Sequence, residues 1–395
     1  MSVQTSLTGD LCQISRAKLG FLKRKFRVNA GSQKLDNMNL AHRVFTQCTR
    51  IVGASALVML ATVTVFAQTQ ATGSTASRGA ALDQAMDRLE MREERHAANP
   101  ALSPLAATIS VNCNLPASPF GSITAALARL NPQAVNTIRV SGACHENVSI
   151  QSFENLTLIA NLGASINDAS SGNLDVLDVA DTHEFNMQGF TINGGSIGVA
   201  CFDFSLCRFS GNTVQGSSGD GVFVGRARAS FQGDTLQNNV GRGLAVVNGS
   251  LALISGVTIQ ANGAPGAVVG VGSQIIAVNL TSRNNGGAGI RITNHSTLRL
   301  IDSTLSANGG AGIRLDSSSE AFFDINTTGN TITGNGANGV ALFDLSFALF
   351  GGSDNITGNN LGNPGGFDVS CGPQFSATRG ALTSIGGGTT NCVEP

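Results

Sequence analysis

Two carboxylates lead the candidates for chemistry. Asp316 follows Ile313 by three residues and Asp344 follows Val340 by four. Brought together by the fold, such a pair suits the acid and base of a glycosidase or part of a calcium site. The competing reading is two solvated turn carboxylates. His295, in "TNHST", shows no evident orienting partner, which a working histidine needs; His183 lies beside Glu184, but neighbours in sequence need not face each other. The acidic run Asp175, Asp178, Asp181 and Glu184 has the charge for a cation, or makes a polar loop. "SGDG" and "GGSDN" are turn signals. No Gly-Lys-Ser/Thr follows either, so neither is a phosphate loop. No motif assigns a catalytic residue, a cofactor or a resident metal. Calcium stays open as a ligand without a motif behind it.

Composition bounds the partners. Ile51 to Phe66 is an apolar run, short for a membrane span. Arg43 and Arg50 precede it and Ala67 closes it. That is the layout of a secretory signal peptide cut after Ala67, with an uncleaved anchor as the alternative. Met38 opens a leader of ordinary length, so 38–67 is read as the signal peptide and 1–37 as a mis-assigned upstream extension. All four lysines (Lys18, Lys23, Lys25, Lys34) lie in that extension. The remaining 68–395 holds 15 Arg against 23 Asp and Glu, a formal charge of −8. An acidic, lysine-free chain argues against nucleic acid and offers no polybasic membrane patch. The expected address is secreted, periplasmic or cell surface, with no membrane span in the mature chain.

Six cysteines remain after that cut, and export permits disulfides. Local pairing gives Cys113–Cys144, Cys201–Cys207 and Cys371–Cys392, one of fifteen connectivities. A metal site is the sharper alternative, but there is no CxxC pair and His145 is the only histidine nearby.

The elements that would position these residues follow from periodicity. Residues 68–107 read as a flexible linker with a short charged helix around Leu82, Met86 and Leu89. From 108 to 395 the texture is β. "TISVNC" and "NTIRVSG" alternate like strands. Between them Ser122 to Leu130 has helical spacing, with Ser122 as N-cap.

A repeat then begins. A glycine followed by apolar–x–apolar recurs with apolar residues at Val199, Val222, Leu244, Ala267, Ile290, Ile313, Val340 and Phe367. Asn239, Asn262, Asn285, Asn308 and Asn335 recur five positions before this anchor. A period of about 23 means stacked units that bury their faces against one another. Leucine-rich repeats need L-x-x-L-x-L, propeller blades need about 40 residues, and calcium-binding arrays need a period of nine. A parallel β-helix remains, with three short strands and three turns per coil. Stacked coils explain why "NNGGAGIRI" (284–292) and "ANGGAGIRL" (307–315) are nearly identical. The asparagines form a ladder, with Asn tolerating αL geometry there. Ile290 and Ile313 stack inside; Arg291 and Arg314 stack outside. Arg291 stands diagonal to Asp316, an exposed ion pair of about 0–1 kcal/mol.

The N-x-G-x-G-[VIL]-x-[VIL] pattern and the opening "SITAALARLNPQAVNTIRVSGACHENVSI" resemble the right-handed parallel β-helix proteins of the pectate-lyase-like superfamily, above all the secreted bacterial repeat proteins. The resemblance covers about Ile109 to Pro395. It implies an all-β right-handed solenoid with an N-terminal helical cap and a C-terminal, disulfide-containing cap from "FDVSCGPQFSATRGALTSIGGGTTNC". It also implies polysaccharide as a partner. Yet the family's Asn-Thr-Asp, Asp-Asp, Gly-His-Gly and Arg-Ile-Lys motifs are missing. So are Trp and Tyr, the residues that best give a sugar a ring face with a polar handle. One fold hosts many functions. Three readings follow: a structural or binding module, with carbohydrate as one ligand class; a lyase or hydrolase with a divergent site; and a trimerising shaft. Phe223, Val247 and Val268 hint at the apolar stripe that the last would need.

Overall fold

The computed structural model describes residues 106–115, 118–324, 328–351, 353–360, 366–372, 377–379 and 385–392. The expected leader and linker helix lie outside the described residues. The chain winds as a right-handed parallel β-helix. A typical coil contributes Val222–Gly225, Arg228–Gln232 and Thr235–Gln237. Equivalent strands pair in parallel, one coil to the next, into three sheets of 12, 10 and 10 strands. We call the sheet containing Arg228–Gln232 sheet A, that containing Thr235–Gln237 sheet B, and that containing Val222–Gly225 sheet C.

Strand alternation builds the core. Val222, Val224, Ala229, Phe231 and Leu236 point inward and are buried, while Phe223 and Ser230 face outward and are half-buried. Register places Val222 beside Leu244 and Val224 beside Val246, so like packs on like. Each large apolar side chain buried this way contributes about 1.5–3 kcal/mol. Phenylalanines stack between coils, with Phe209 and Phe231 5.0 Å apart and nearly parallel.

The repeat alignment fails at its last step. Val340 pairs with Val369, not Phe367. The spacing to Val369–Cys371, the last strand of sheet C, is longer than the repeat, so Phe367 falls before the strand and is exposed. Asp368 consequently leaves the outward sheet column and joins the asparagine column.

That column is a ladder. The N–H and Nδ2 of Asn262 both donate to Oδ1 of Asn285, at 3.1 and 2.9 Å. Asn239, Asn285 and Asn308 repeat the pattern onto the next coil. The ladder runs past Asn335 to Asn359, whose N–H and Nδ2 donate to Asp368 Oδ1. The ladder asparagines do not take the left-handed conformation expected of them. Positive φ falls one residue earlier, at Asn238, Ala261, Asn284 and Ala307. The turn reverses there, which leaves each ladder N–H aligned with the solenoid axis. Two glycines per coil have no room for a side chain. A Cβ on Gly286 would lie 2.3 Å from Gly263 O, and one on Gly289 would lie 2.7 Å from Gly312 O. The repeated N-G-x-x-G is therefore the footprint of close coil-to-coil contact.

Both ends are tied down. Strand β1 (Ala107–Asn112), helix α1 (Ile123–Leu127) and strand β2 (Val135–Ser141) form the expected opening. The helix is shorter than its sequence pattern, and the Ser122 side chain accepts from Ala125 N. Glu146 accepts from the N–H groups of Ile123 and Thr124 at 2.7 and 2.9 Å, the charge a helix start favours. Ile123 and Ala126 are buried against the first coils. Disulfides join Cys113 to Cys144, Cys201 to Cys207 and Cys371 to Cys392. The last ties the end strand of sheet C to the C-terminal segment, where Ile385 is buried.

Candidate functional site

Sheet C carries the most varied outer face. Its central outward column runs Asp178, Ala200, Phe223, Ala245, Val268, Arg291, Arg314, Ala341. Side chains that alternate along a strand must leave the core here. The small ones, Ala200 and Ala245, keep the floor low. An open trough of about 640 Å³ lies across the middle coils, lined among others by Asp220, Arg242, Pro265, Val268, Arg291 and Thr293.

Charge in the trough is organised around two buried carboxylates. Asp220 accepts from Arg242 Nε at 2.9 Å and from its terminal nitrogen at 2.6 Å. This is a two-point pair of the kind guanidinium groups favour. Asp316 is 5 % exposed, so it is not the solvated turn carboxylate of the competing reading. It accepts from Arg291 Nε and Arg314 Nε, each at 3.0 Å. The Arg291 pair is also less exposed on the Asp316 side than its sequence position implied. Arg314 lies over the Phe343 ring, 4.8 Å from its centre, a cation–π contact. Two guanidiniums on one carboxylate leave a net charge of +1 beside the trough, on a chain whose formal charge is −1.

The two candidate carboxylates sit in different surroundings, Asp316 buried against its arginines and Asp344 at the surface. Asp344 is exposed in a left-handed turn. Among the described residues no hydrogen bond or ion pair joins it to Asp316. His295 also sits exposed in a left-handed turn, its N–H on Ser317 O. The acidic run does not converge on one point. Asp175 Oδ1 accepts from Ile197 N, Asp181 accepts from Ser152 Oγ, and Glu184 pairs with Arg208. Asp178 is half-buried on sheet C, and burial together with the neighbouring Asp175 pushes its carboxyl up to about 6. Among the described residues, the one trio of possible ligands close enough for a metal is Cys113, Cys144 and Glu146. The two cysteines are disulfide-bonded and Glu146 caps the helix, so this donor set does not fit calcium. Of the residues suspected of an apolar stripe, Phe223 and Val247 are half-buried and Val268 is buried.

Two further columns carry no chemistry but hold the site still, and both escaped the sequence reading. At the turn from sheet C to sheet A, the N–H of Ser250 donates to Ser273 Oγ at 3.1 Å, that of Ser273 to Ser296, and that of Ser296 to Ser319. Their 23-residue spacing was the available signal. At the turn from sheet A to sheet B, Asn212 donates from N and Nδ2 to Asp234 Oδ1, and Asn330 does so to Asp354. Burial outweighs these bonds, raising Asp234 to about 6 and raising Asp354 as well. At Asp368 burial is outweighed by bonds from Asn359 and Thr389, and the carboxyl is held low.

Comparison with known proteins bears on the fold. A family model described as "Right handed beta helix region" matches residues 197–361. No curated protein matches the chain. Among solved structures, pectate lyase Pel9A is similar at 13 % identity and a TM-score of 0.49, over 66 % of this chain and 79 % of that one. The A-module of mannuronan C-5 epimerase AlgE4 from Azotobacter vinelandii gives 12 % and 0.49, over 65 % and 88 %. An alginate lyase from Paenibacillus sp. str. FPU-7 gives 15 % and 0.46, over 69 % and 98 %. Likenesses of this size say nothing of chemistry; the parallel coils and the family match agree on a right-handed β-helix.

Proposed function

We propose that this chain is an exported β-helix module that binds an acidic polysaccharide along the outer face of sheet C without cleaving it. The observation that carries the reading is the Arg291–Asp316–Arg314 cluster beside the trough. Arg291 meets Asp316 through Nε, and a guanidinium has further donors for a sugar carboxylate. The excess positive charge attracts that carboxylate. Phe223, half-buried on the outer face, offers apolar surface to the sugar ring, and a stack of equivalent coils suits a chain of repeating units.

Binding without cleavage follows from the carboxylates. Asp220 and Asp316 both pair with arginines, which occupy the oxygens that proton transfer would use. Three disulfides suit an oxidising compartment, which supports export.

The test is to incubate the purified protein, disulfides intact, with acidic and neutral polysaccharides, with and without calcium. Retention on the acidic polymers, with neither new reducing ends nor unsaturated uronides, is expected. Product formation would replace this reading with a lyase or hydrolase.

A further inference from the structure

The outer face of sheet B is unlike the other two. Across the nine strands from Ser165–Asn167 to Asn355–Thr357, 18 side chains face outward, and nine of them are threonine. None is apolar or aromatic, and Arg283 is the single charge. The first outward position is threonine in seven consecutive coils, from Thr191 to Thr331, all in register. All seven are half-buried.

The second outward column is an amide ladder. Asn193 Nδ2 donates to Asn167 Oδ1 at 2.7 Å, and Gln215 Nε2 to Asn193 Oδ1 at 2.9 Å. Gln237 continues onto Gln215, Gln260 onto Gln237, and Arg283 Nε onto Gln260. Asn193, Gln215, Gln237 and Gln260 each keep a second N–H and a second lone pair for a partner outside, while Asn167 donates to Cys144 O and Ser165 Oγ. The ladder fixes otherwise mobile glutamines, and β-branching restricts the threonines. The face is therefore a rigid, nearly uncharged array of hydroxyls, methyls and amides that repeats with the coil.

We propose that the outer face of sheet B binds ice. Adjacent coils repeat at about 4.8 Å along the solenoid. In a tetrahedral water network with O···O about 2.75 Å, second neighbours stand about 4.5 Å apart. The two repeats lie within a few tenths of an ångström. The array offers what ordered water needs: hydroxyls and amides to continue its hydrogen bonds, and methyls between them. It lacks the aromatic surface that a sugar ring seeks, which separates it from the trough on sheet C. The inference is independent of the polysaccharide reading, since no residue is shared.

The experiment grows a single ice crystal in a solution of fluorescently labelled full-chain protein and records freezing hysteresis on the same sample. Three variants accompany it: T235K/T258K on sheet B, the milder T235S/T258S, and T297K on sheet A. Wild type and T297K are expected to label defined ice planes and to give hysteresis. T235K/T258K should lose at least tenfold of that hysteresis, and T235S/T258S part of it. Exclusion of wild-type protein from the growing crystal would overturn the proposal. So would equal adsorption by the serine variant and T235K/T258K at wild-type level. Retention on microcrystalline cellulose or chitin that depends on Thr235 and Thr258, without ice labelling, would also overturn it in favour of a neutral polysaccharide.

Discussion

Replacing Asn285 by alanine tests the ladder, because the cost can be worked from its bonds. Asn285 Oδ1 accepts the N–H and one Nδ2–H of Asn262 at 3.1 and 2.9 Å. Its own Nδ2 donates to Asn308 Oδ1 at 2.9 Å and to Ile259 O at 3.2 Å. Alanine leaves both Asn262 donors without an acceptor at a site that is 2 % exposed. Each orphaned buried donor costs about 1–3 kcal/mol, so the loss is about 4 kcal/mol. Asn285→Asp adds a direction to the magnitude. It keeps the acceptor for Asn262, yet turns its second oxygen toward Asn308 Oδ1 and Ile259 O, which are acceptors too. The carboxyl therefore favours its protonated form, with a raised pKa in the folded state. Its stability deficit should shrink as pH falls below that pKa and grow above it. Urea unfolding of both variants from pH 4 to 8 provides the assay. An Asn285→Ala protein within 1 kcal/mol of wild type would show that water or repacking satisfies Asn262, and the ladder argument would be wrong.

Other outcomes follow from the same structure. Ile313→Asp places an unpaired charge at a site of 0 % exposure and should cost several kcal/mol; an unchanged melting temperature would contradict the inward column. Removing the Cys113–Cys144 bridge, whose partners are 31 residues apart, should cost about 3.5 kcal/mol by loop entropy, read as a lower urea midpoint of the double serine variant. Asp234 has a folded pKa raised from 3.8 to about 6, so its contribution is complete below 3.8 and is lost as pH rises through 6. The stability of wild type relative to Asp234→Asn should therefore fall by about 2.4 kcal/mol between pH 4 and 7.5; a gap that does not change with pH would remove Asp234 as its cause.

The fold was legible because a solenoid writes itself down once per coil. Ile290 and Ile313 share an environment, so selection left the same residue type in both, and the 23-residue period exposed the stack. The Asn column showed for the same reason. The serine column was overlooked because serine is common in turns of every kind, and one hydroxyl bond per coil leaves less imprint than a buried amide. The last coil was misaligned where the period broke, since a repeat rule cannot see a loop that shifts Phe367 out and Asp368 in. Site residues were less legible. The register pairs Arg291 with Asp316, but Arg314, two residues before Asp316 on the strand that leads to it, joins them without a sequence signal. Asp220 and Arg242 stand two positions before Val222 and Leu244, so the repeat step itself places them side by side, but their types differ from coil to coil and left no column to notice. Glu146 reaches the helix start from 22 to 23 residues away, a contact set by how the helix closes the stack.

The central claim is that the cationic cluster on sheet C holds an acidic chain, and calorimetric titration with a short oligouronide tests it most directly. Wild type is compared with Arg291→Gln at two salt concentrations. A charge-assisted bond contributes about 1.5–3 kcal/mol, so the variant should bind at least tenfold more weakly, and the wild-type affinity should drop at higher salt. Equal affinity in the two proteins, with no dependence on salt, would contradict the account and move the search for a ligand away from Arg291, Arg314 and Asp316.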